Sequence, residues 1–415
     1  MGDLQNDVQV PSFFVCPISL EIMIDPVTLS TGITYDRNSI EKWLFSRKNH
    51  TGVCPVTKQV VVDIDLTPNL TLQRLIQSWC ALNPSSGVKK FPKPQPPITK
   101  AEIIKLLKDS KSPHLQIKSL TRLKTIVLES ERNKRVLESV GAVDHLVCIL
   151  TKVHDSIASS STTREVTGAD EALSILYHLK LSPTGMKSLF QKTRDFVETL
   201  TRSMQRVASH ESRAYAVMLL KSMFEVADPM QVTSLNPNFF MQLVQILIDQ
   251  ISQKATKATL KLLINVCSLG RNKIKAAEVG AVAALIDTLL NHPDKRVSEM
   301  VLIALDRICE CAEGRAELLK HGGGLAVVSK KILRVSTVAS ESAMRVLHSV
   351  TMFSGDRSVV GEMLELGVVG KLCLVMQVDC GKKMKEKARE ILKMHCRVWK
   401  NAPCIPRNLV ASYPS

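Results

Sequence analysis

Aromatic residues make up only 4% of the 415-residue chain. A β-sandwich is therefore a poor fit, and the abundant Leu, Val, Ala, Lys and Glu favour helices. No run of about 18 apolar residues occurs, so no membrane-spanning helix is expected. Residues 1–6 show no apolar stretch behind a positive start, so no secretory signal is expected, and Asn6 stands where N-myristoylation wants Ser or Thr. A Walker loop, a Gly-x-Gly-x-x-Gly turn and a His-Glu-x-x-His helix are all missing, which weakens the case for a nucleotide- or metal-dependent enzyme. The 11 cysteines are odd in number and scattered, unlike a secreted disulfide framework. Reduced thiols follow, with a cytoplasmic setting expected, and nuclear or membrane-associated settings as its variants.

Hydrophobic residues reach 45%, enough for sizeable cores, and the length allows roughly two or three domains. The formal charge is +16, but residues 1–80 carry six basic and eight acidic side chains, so the excess lies beyond them. Residues 83–98 hold five prolines in sixteen positions and cannot form a helix or a central strand. The expected layout is a small module over 9–84, a Pro-rich linker over 85–98, a long basic Leu-rich region over 99–395 and a tail over 396–415. Extended, the linker spans at most about 50 Å, and would hold the small module near the rest without a shared core.

Within the small module, Val27-Thr28-Leu29 and Ile33-Thr34-Tyr35 read as strands around the turn at Gly32. Asp36 is placed to cap a helix running through Ile40, Trp43 and Leu44. A second helix is expected with Thr67 as N-cap and Pro68 at its first position, burying Leu72, Leu75, Ile76 and Trp79. The long region repeats a helix–Gly–helix phrase at Gly141, Gly280, Gly322 and Gly367, with degraded copies near Thr193 and Pro237. The last three glycines lie 42 and 45 residues apart, a period in the armadillo/HEAT range. Each Gly lets one helix stop in a left-handed turn and the next begin at once. Residues 156–169 read as a solvated insertion. Cys309-Glu310-Cys311 reads as core or surface thiols rather than metal ligands. The basic run at 382–389 reads as the solvated face of a last helix, with a nuclear signal, a phospholipid contact or an acidic-partner site as functional alternatives.

The chemistry of the first eighty residues is marked by missing ligands. Cys16-Pro17-Ile18-Ser19 and Cys54-Pro55-Val56-Thr57 echo one another. A zinc-binding RING would place a second Cys where Ser19 and Thr57 stand, and neutral hydroxyls are poor zinc ligands. Cys16, Cys54, Cys80 and His50 lack paired spacing, so two cross-braced zinc sites cannot be built. Hydrogen bonds, salt bridges and packing must hold the same turns, with no metal and no cofactor.

Together with Phe13–Met23, Asp25-Pro26-Val27-Thr28, Gly32–Arg37, Ile40–Leu44 and Leu66–Asn69, these phrases make residues 10–80 resemble a U-box, the zinc-free relative of the RING. A U-box followed by armadillo repeats resembles the plant U-box/armadillo E3 ubiquitin ligases. The implied fold is mostly α: a small zinc-free α+β module followed by an α-solenoid. The implied activity is ubiquitin transfer by scaffolding, in which a ubiquitin-charged E2 supplies the catalytic thiol and this chain supplies none. The resemblance assigns E2 contact to Ile18, Leu20, Trp43 and Pro55. Lys58 stands where many U-boxes have Arg, and lacks its planar fork. Trp43 has a second reading as core. Cys16 reads as loop support rather than a nucleophile, and Cys54 and Thr57 belong to the second loop. Glu21, Asp25, Tyr35, Asp36 and Arg37 form the expected polar network that replaces zinc.

The repeats imply a protein substrate as partner, a second copy of the chain is a further candidate, and stress or immune signalling is the implied setting. Two rival functions are an armadillo adaptor with a decayed U-box and a nucleic-acid binder. Intact Ile18, Trp43 and Pro55 argue against the first. The scarcity of Trp and Tyr among the repeats removes the stacking platform the second would need.

Overall fold

The computed structural model describes residues 10–45, 53–61, 66–83, 98–157, 168–192, 195–205, 209–233, 235–353 and 357–399. The chain divides into two compact units, one of Met1–Leu146 with His178–Lys180 and the other of Val147–Tyr177 with Leu181–Ser415.

The first unit opens with a three-stranded antiparallel sheet in the order β2-β1-β3, where β1 is Pro26–Thr28, β2 Thr34–Asp36 and β3 Thr67–Pro68. Val27 pairs with Tyr35 on one side and Pro68 on the other. The turn between β1 and β2 passes through Gly32 at φ 81°, a conformation glycine adopts at little cost. Helix α1 (Arg37–Phe45) follows β2 directly, and α2 (Leu70–Leu82) follows β3. Their inward faces, Ile40 and Ile76, join Phe14, Cys16, Met23, Val27, Leu29, Tyr35 and Cys54 in one small core.

Two expectations for α2 need correction. Thr67 and Pro68 are not its cap and first residue, because their backbones pair with β1. Asn69 caps instead, its side chain accepting from Leu72 N. Leu75 is 53% exposed, while Leu72 and Trp79 pack on the core beside Ile76. The linker at 85–98 falls, except for its last residue, outside the described residues, as do most of the insertion at 156–169 and the tail beyond 399.

Helices resume with α3 (Lys100–Asp109), capped by Thr99, then α4 (Pro113–Glu129), α5 (Glu131–Ser139) and α6 (Ala142–Ile157). Ser130 caps α5 by accepting from Asn133 N at 3.2 Å. Gly141 separates α5 from α6 at φ 75°, as the repeat phrase requires.

In the second unit the period becomes physical. A short helix, a second helix and a long third helix recur, as in Asn272–Glu278, Ala281–Asn291 and Lys295–Ile308. The long helices His210–Phe224, Gln253–Val266, Lys295–Ile308, Thr337–Phe353 and Lys382–Met394 stack in sequence as one layer. Side chains stitch each repeat to backbone one period away: Asn265 to the Phe224 carbonyl at 3.0 Å, Asn272 to Val232 at 2.7 Å, and Ser349 to Cys309 at 2.9 Å. Gly280 and Gly367 sit at φ 83° and 73°. Gly322 does not take the left-handed turn; its neighbour Gly324 packs so closely on the Leu318 carbonyl that a Cβ would lie 2.4 Å from the oxygen. That glycine answers a close approach, not a turn. Cys309 is buried and Cys311 partly so. The basic run lies on Lys382–Met394, with Lys382, Lys383 and Arg389 exposed and Met384, Ala388 and Ile391 turned inward. The described helices continue to Trp399, which is buried and donates through Nε1 to the Val360 carbonyl.

Candidate functional site: twin loops anchored by buried cysteines

The two Cys-Pro phrases fold as the same loop. In the first, Cys16 N donates to the Glu21 carbonyl at 2.8 Å and Leu20 N to the Cys16 carbonyl at 2.9 Å; in the second, Cys54 N donates to Gln59 at 2.8 Å and Lys58 N to Cys54 at 3.0 Å. Each loop is closed by a flanking bridge, Val15 to Ile22 and Val53 to Val60. Each also forces its fifth residue into the left-handed region, Leu20 at φ 57° and Lys58 at φ 59°. Non-glycine residues rarely adopt that conformation.

Both cysteine sulfurs point inward as hydrogen-bond acceptors. Cys16 Sγ accepts from Asp36 N at 3.3 Å. Burial opposes its ionisation, yet hydrogen bonds from Ser19, Asp36 and Ile18 together bring the thiol below its ordinary value. Around Cys54 Sγ gather Thr31 Oγ1 at 3.4 Å, Tyr35 Oη at 3.1 Å and the Thr57 hydroxyl and backbone. Burial again opposes, but these donors hold Cys54 at about 6. Burial is also the main cause that pushes the Tyr35 phenol up, so it stays a donor to the sulfur. Neither sulfur can reach a substrate from this position: both side chains are buried. They are anchors for loops, which agrees with the reading of Cys16 as support.

The polar network gathers four of its five expected members. Asp36 does not cap α1; its Oδ1 accepts from Ile24 N at 3.0 Å and Asp25 N at 3.1 Å, fastening the exit of the first loop. Asp25 Oδ2 in turn accepts from Arg37 Nε at 2.5 Å. Tyr35 joins through its hydroxyl, which also accepts from Val56 N at 3.4 Å. Glu21 is the exception: its side chain is exposed and only its carbonyl takes part. Sequence reasoning missed Thr31, whose hydroxyl reaches Cys54 from the strand turn, and Gln73, which donates from α2 to the Ile24 carbonyl at 3.3 Å. Neither carries a sequence signal beyond a polar residue beside a turn or a helix cap.

On the outer side the loop tips form an apolar surface. Leu20 is 77% and Val56 51% exposed, and Ile18 and Pro55 are half-buried beside them in their loops. Trp43 on α1 is half-buried, packed on the core, with Nε1 donating to the Val53 carbonyl at 3.0 Å. It therefore ties α1 to the second loop while keeping part of its ring accessible. Lys58 Nζ lies 5.9 Å above that ring. Among the described residues no group of His, Cys, Asp or Glu could hold a metal ion. No described helix is long and apolar enough to cross a membrane.

Twin loops anchored by hydrogen-bonded cysteines on a small three-stranded sheet, followed by stacked three-helix repeats, define a U-box protein with an armadillo solenoid. Comparison with known proteins agrees on both halves. The U-box domain model matches residues 10–85, and the plant U-box protein ARM repeat region matches 101–415. E3 ubiquitin-protein ligase PUB23 of Arabidopsis thaliana is 53% identical across 100% of this chain and 99% of its own length. E3 ubiquitin-protein ligase PUB22 of the same plant is 51% identical over 99% of this chain and 100% of its own. A solved chain from work on the phosphorylation switch between cadherin and beta-catenin shares the fold at TM-score 0.57 and 14% identity, covering 85% of this chain and 60% of that one. The chain belongs to the plant U-box/armadillo family of E3 ubiquitin ligases.

Proposed function

We propose that the U-box holds a ubiquitin-charged E2 on the surface formed by Ile18, Leu20, Trp43, Pro55 and Lys58, and that ubiquitin passes to lysines of proteins bound by the armadillo repeats. The observation that carries this is the pair of matched loops, which turn Leu20 and Val56 outward while their cysteines are locked inside. Catalysis is then orientation: the E2 thioester and an incoming lysine are held together, and no covalent intermediate forms on this chain. Substrate docking falls to the repeats, whose long-helix layer carries a slot of about 430 Å³ edged by Asp306, Arg307, Glu310, Arg345 and His348. Such a charged slot suits a polar peptide or a folded protein surface. The scattered cysteines are what favours a cytoplasmic site of action, and the family resemblance implies a part in stress or immune signalling.

The test is ubiquitination with purified E1, a panel of E2s, ubiquitin and the full chain. Ubiquitin chains should appear with a subset of E2s and vanish in the Ile18→Ala, Trp43→Ala double variant. A ubiquitin thioester trapped on Cys16 would overturn the scaffold reading, and silence with every E2 would favour the adaptor.

A further inference from the structure

Glu41 lies on α1 two residues before Trp43, and is 2% exposed. A carboxylate is costly to bury without partners. Its neighbour Ile40 belongs to the U-box core, but Glu41 does not. It is covered from outside, where α1 packs against α5 of the first armadillo repeat. There burial pushes the Glu41 carboxyl above its ordinary value, while Arg37, the backbone N–H of Glu131 at the start of α5, and Arg132 favour its charge and the Glu131 carboxylate opposes it. A helix N-terminus presents unpaired N–H groups and a partial positive charge. Ser130 already serves Asn133 N, and the Glu41 carboxyl lies beside the N–H of Glu131.

The geometry of α1 makes this contact compatible with E2 binding. At 100° per residue, Trp43 projects about 200° around the helix from Glu41. The face toward α5 and the face bearing the tryptophan are different faces.

We propose that Glu41 is a positioning residue: by seating its carboxylate on the N-terminus of α5, it docks the E2-bearing helix onto the first armadillo repeat and fixes where ubiquitin is presented. The proposal rests on the reading that the U-box surface carries the E2. The linker at 85–98 then acts as a tether for a docked module. Glu41 touches neither ubiquitin nor substrate in this scheme, so the rate of the chemical step is not its concern; the choice of acceptor lysine is.

The experiment uses the full chain and three variants, Glu41→Gln, Glu41→Lys and Arg132→Glu. Two readouts are taken with one E2: discharge of its ubiquitin to free lysine, and the map of autoubiquitinated lysines over residues 99–157. Hydrogen exchange at the Glu131 amide reports the contact itself. Glu41→Lys places a cation against Arg132 and the positive helix end, and should raise that exchange by about tenfold or more and redistribute the modified lysines. Free-lysine discharge should stay within about twofold of the parent, since the E2 surface is untouched. Glu41→Gln keeps an acceptor oxygen and should retain most of the protection and the parental map. Arg132→Glu approaches from the exposed side of α5 and should reproduce Glu41→Lys without altering the U-box, which guards against a lysine variant that fails to fold. Unchanged exchange and an unchanged map in both charge variants would overturn the proposal. So would a Glu41→Lys variant that loses discharge while the Glu131 amide stays protected. Absence of discharge by the parent chain itself would instead overturn the E2 reading.

Discussion

Removing one oxygen tests how the U-box holds its second loop. Tyr35→Phe deletes the hydroxyl that touches Cys54 Sγ at 3.1 Å and receives Val56 N at 3.4 Å. The ring is fully buried and keeps its volume, so no cavity term enters. The loss is two weak hydrogen bonds at long distances, about 1–2 kcal/mol together. Opening of the second loop should rise about five- to thirtyfold, read as faster exchange of the Val56 amide. The effect on E2 binding is bounded differently. Even if the variant left the loop open half the time, apparent affinity would fall only about twofold. The expected signature is thus a large change in exchange with a small change in ubiquitin discharge. A loss of discharge beyond about tenfold in a folded Tyr35→Phe chain, or an unaltered Val56 amide, would refute the claim that this hydroxyl holds the loop.

Trp43→Ala removes both the exposed ring and the Nε1 bond to Val53, and should weaken E2 binding about thirtyfold by titration, with helical circular dichroism retained. Cys54 sits at about 6 against an ordinary 9.0; the folded state releases its proton first, so its contribution to stability is full above pH 9 and is lost as pH falls through 6. Denaturation from pH 5 to 9 should show this rise, and Cys54→Ser should flatten it. Gly280→Ala meets no neighbour but must hold φ 83°, costing about 1–2 kcal/mol, whereas Gly314→Ala drives a Cβ to 2.2 Å from the Ile308 carbonyl and should cost more by thermal denaturation. Chelation should leave ubiquitination intact, and stoichiometric zinc in the purified chain with unfolding on its removal would sink the metal-free reading.

Much of this was legible because backbone geometry leaves marks in composition. Glycines 141, 280 and 367 are left-handed where the repeat phrase said they would be, since little else fits between two helices. The paired Cys-Pro phrases announced paired loops because the same turn needs the same residues. What stayed hidden depends on partners far away in sequence. Thr67 looks like an N-cap until its backbone is recruited by β1, after which the role passes to Asn69. Asp36 looks like another cap, but two amides eleven and twelve residues upstream claim its carboxylate. Glu21 has the right chemistry for the network and faces solvent instead, a matter of one residue's rotation about the loop. Gly322 fits the pattern and has the wrong conformation, because Gly324 carries the steric demand.

The left-handed residues at 20 and 58 set limits on how such a ligase can change its preferences. Each sits at the tip of its loop, part of the surface proposed to hold an E2, and each is held by the backbone hydrogen bond its own amide donates to the cysteine carbonyl. Variation there is filtered first by conformation: glycine and asparagine enter cheaply, and β-branched residues are strongly disfavoured whatever they might contact. The two tips already differ, one an aliphatic side chain and the other a cation, on backbones with matching hydrogen bonds and φ angles. If that surface holds the E2 as proposed, partner choice can drift at two points, independently, while the scaffold beneath them stays as it is.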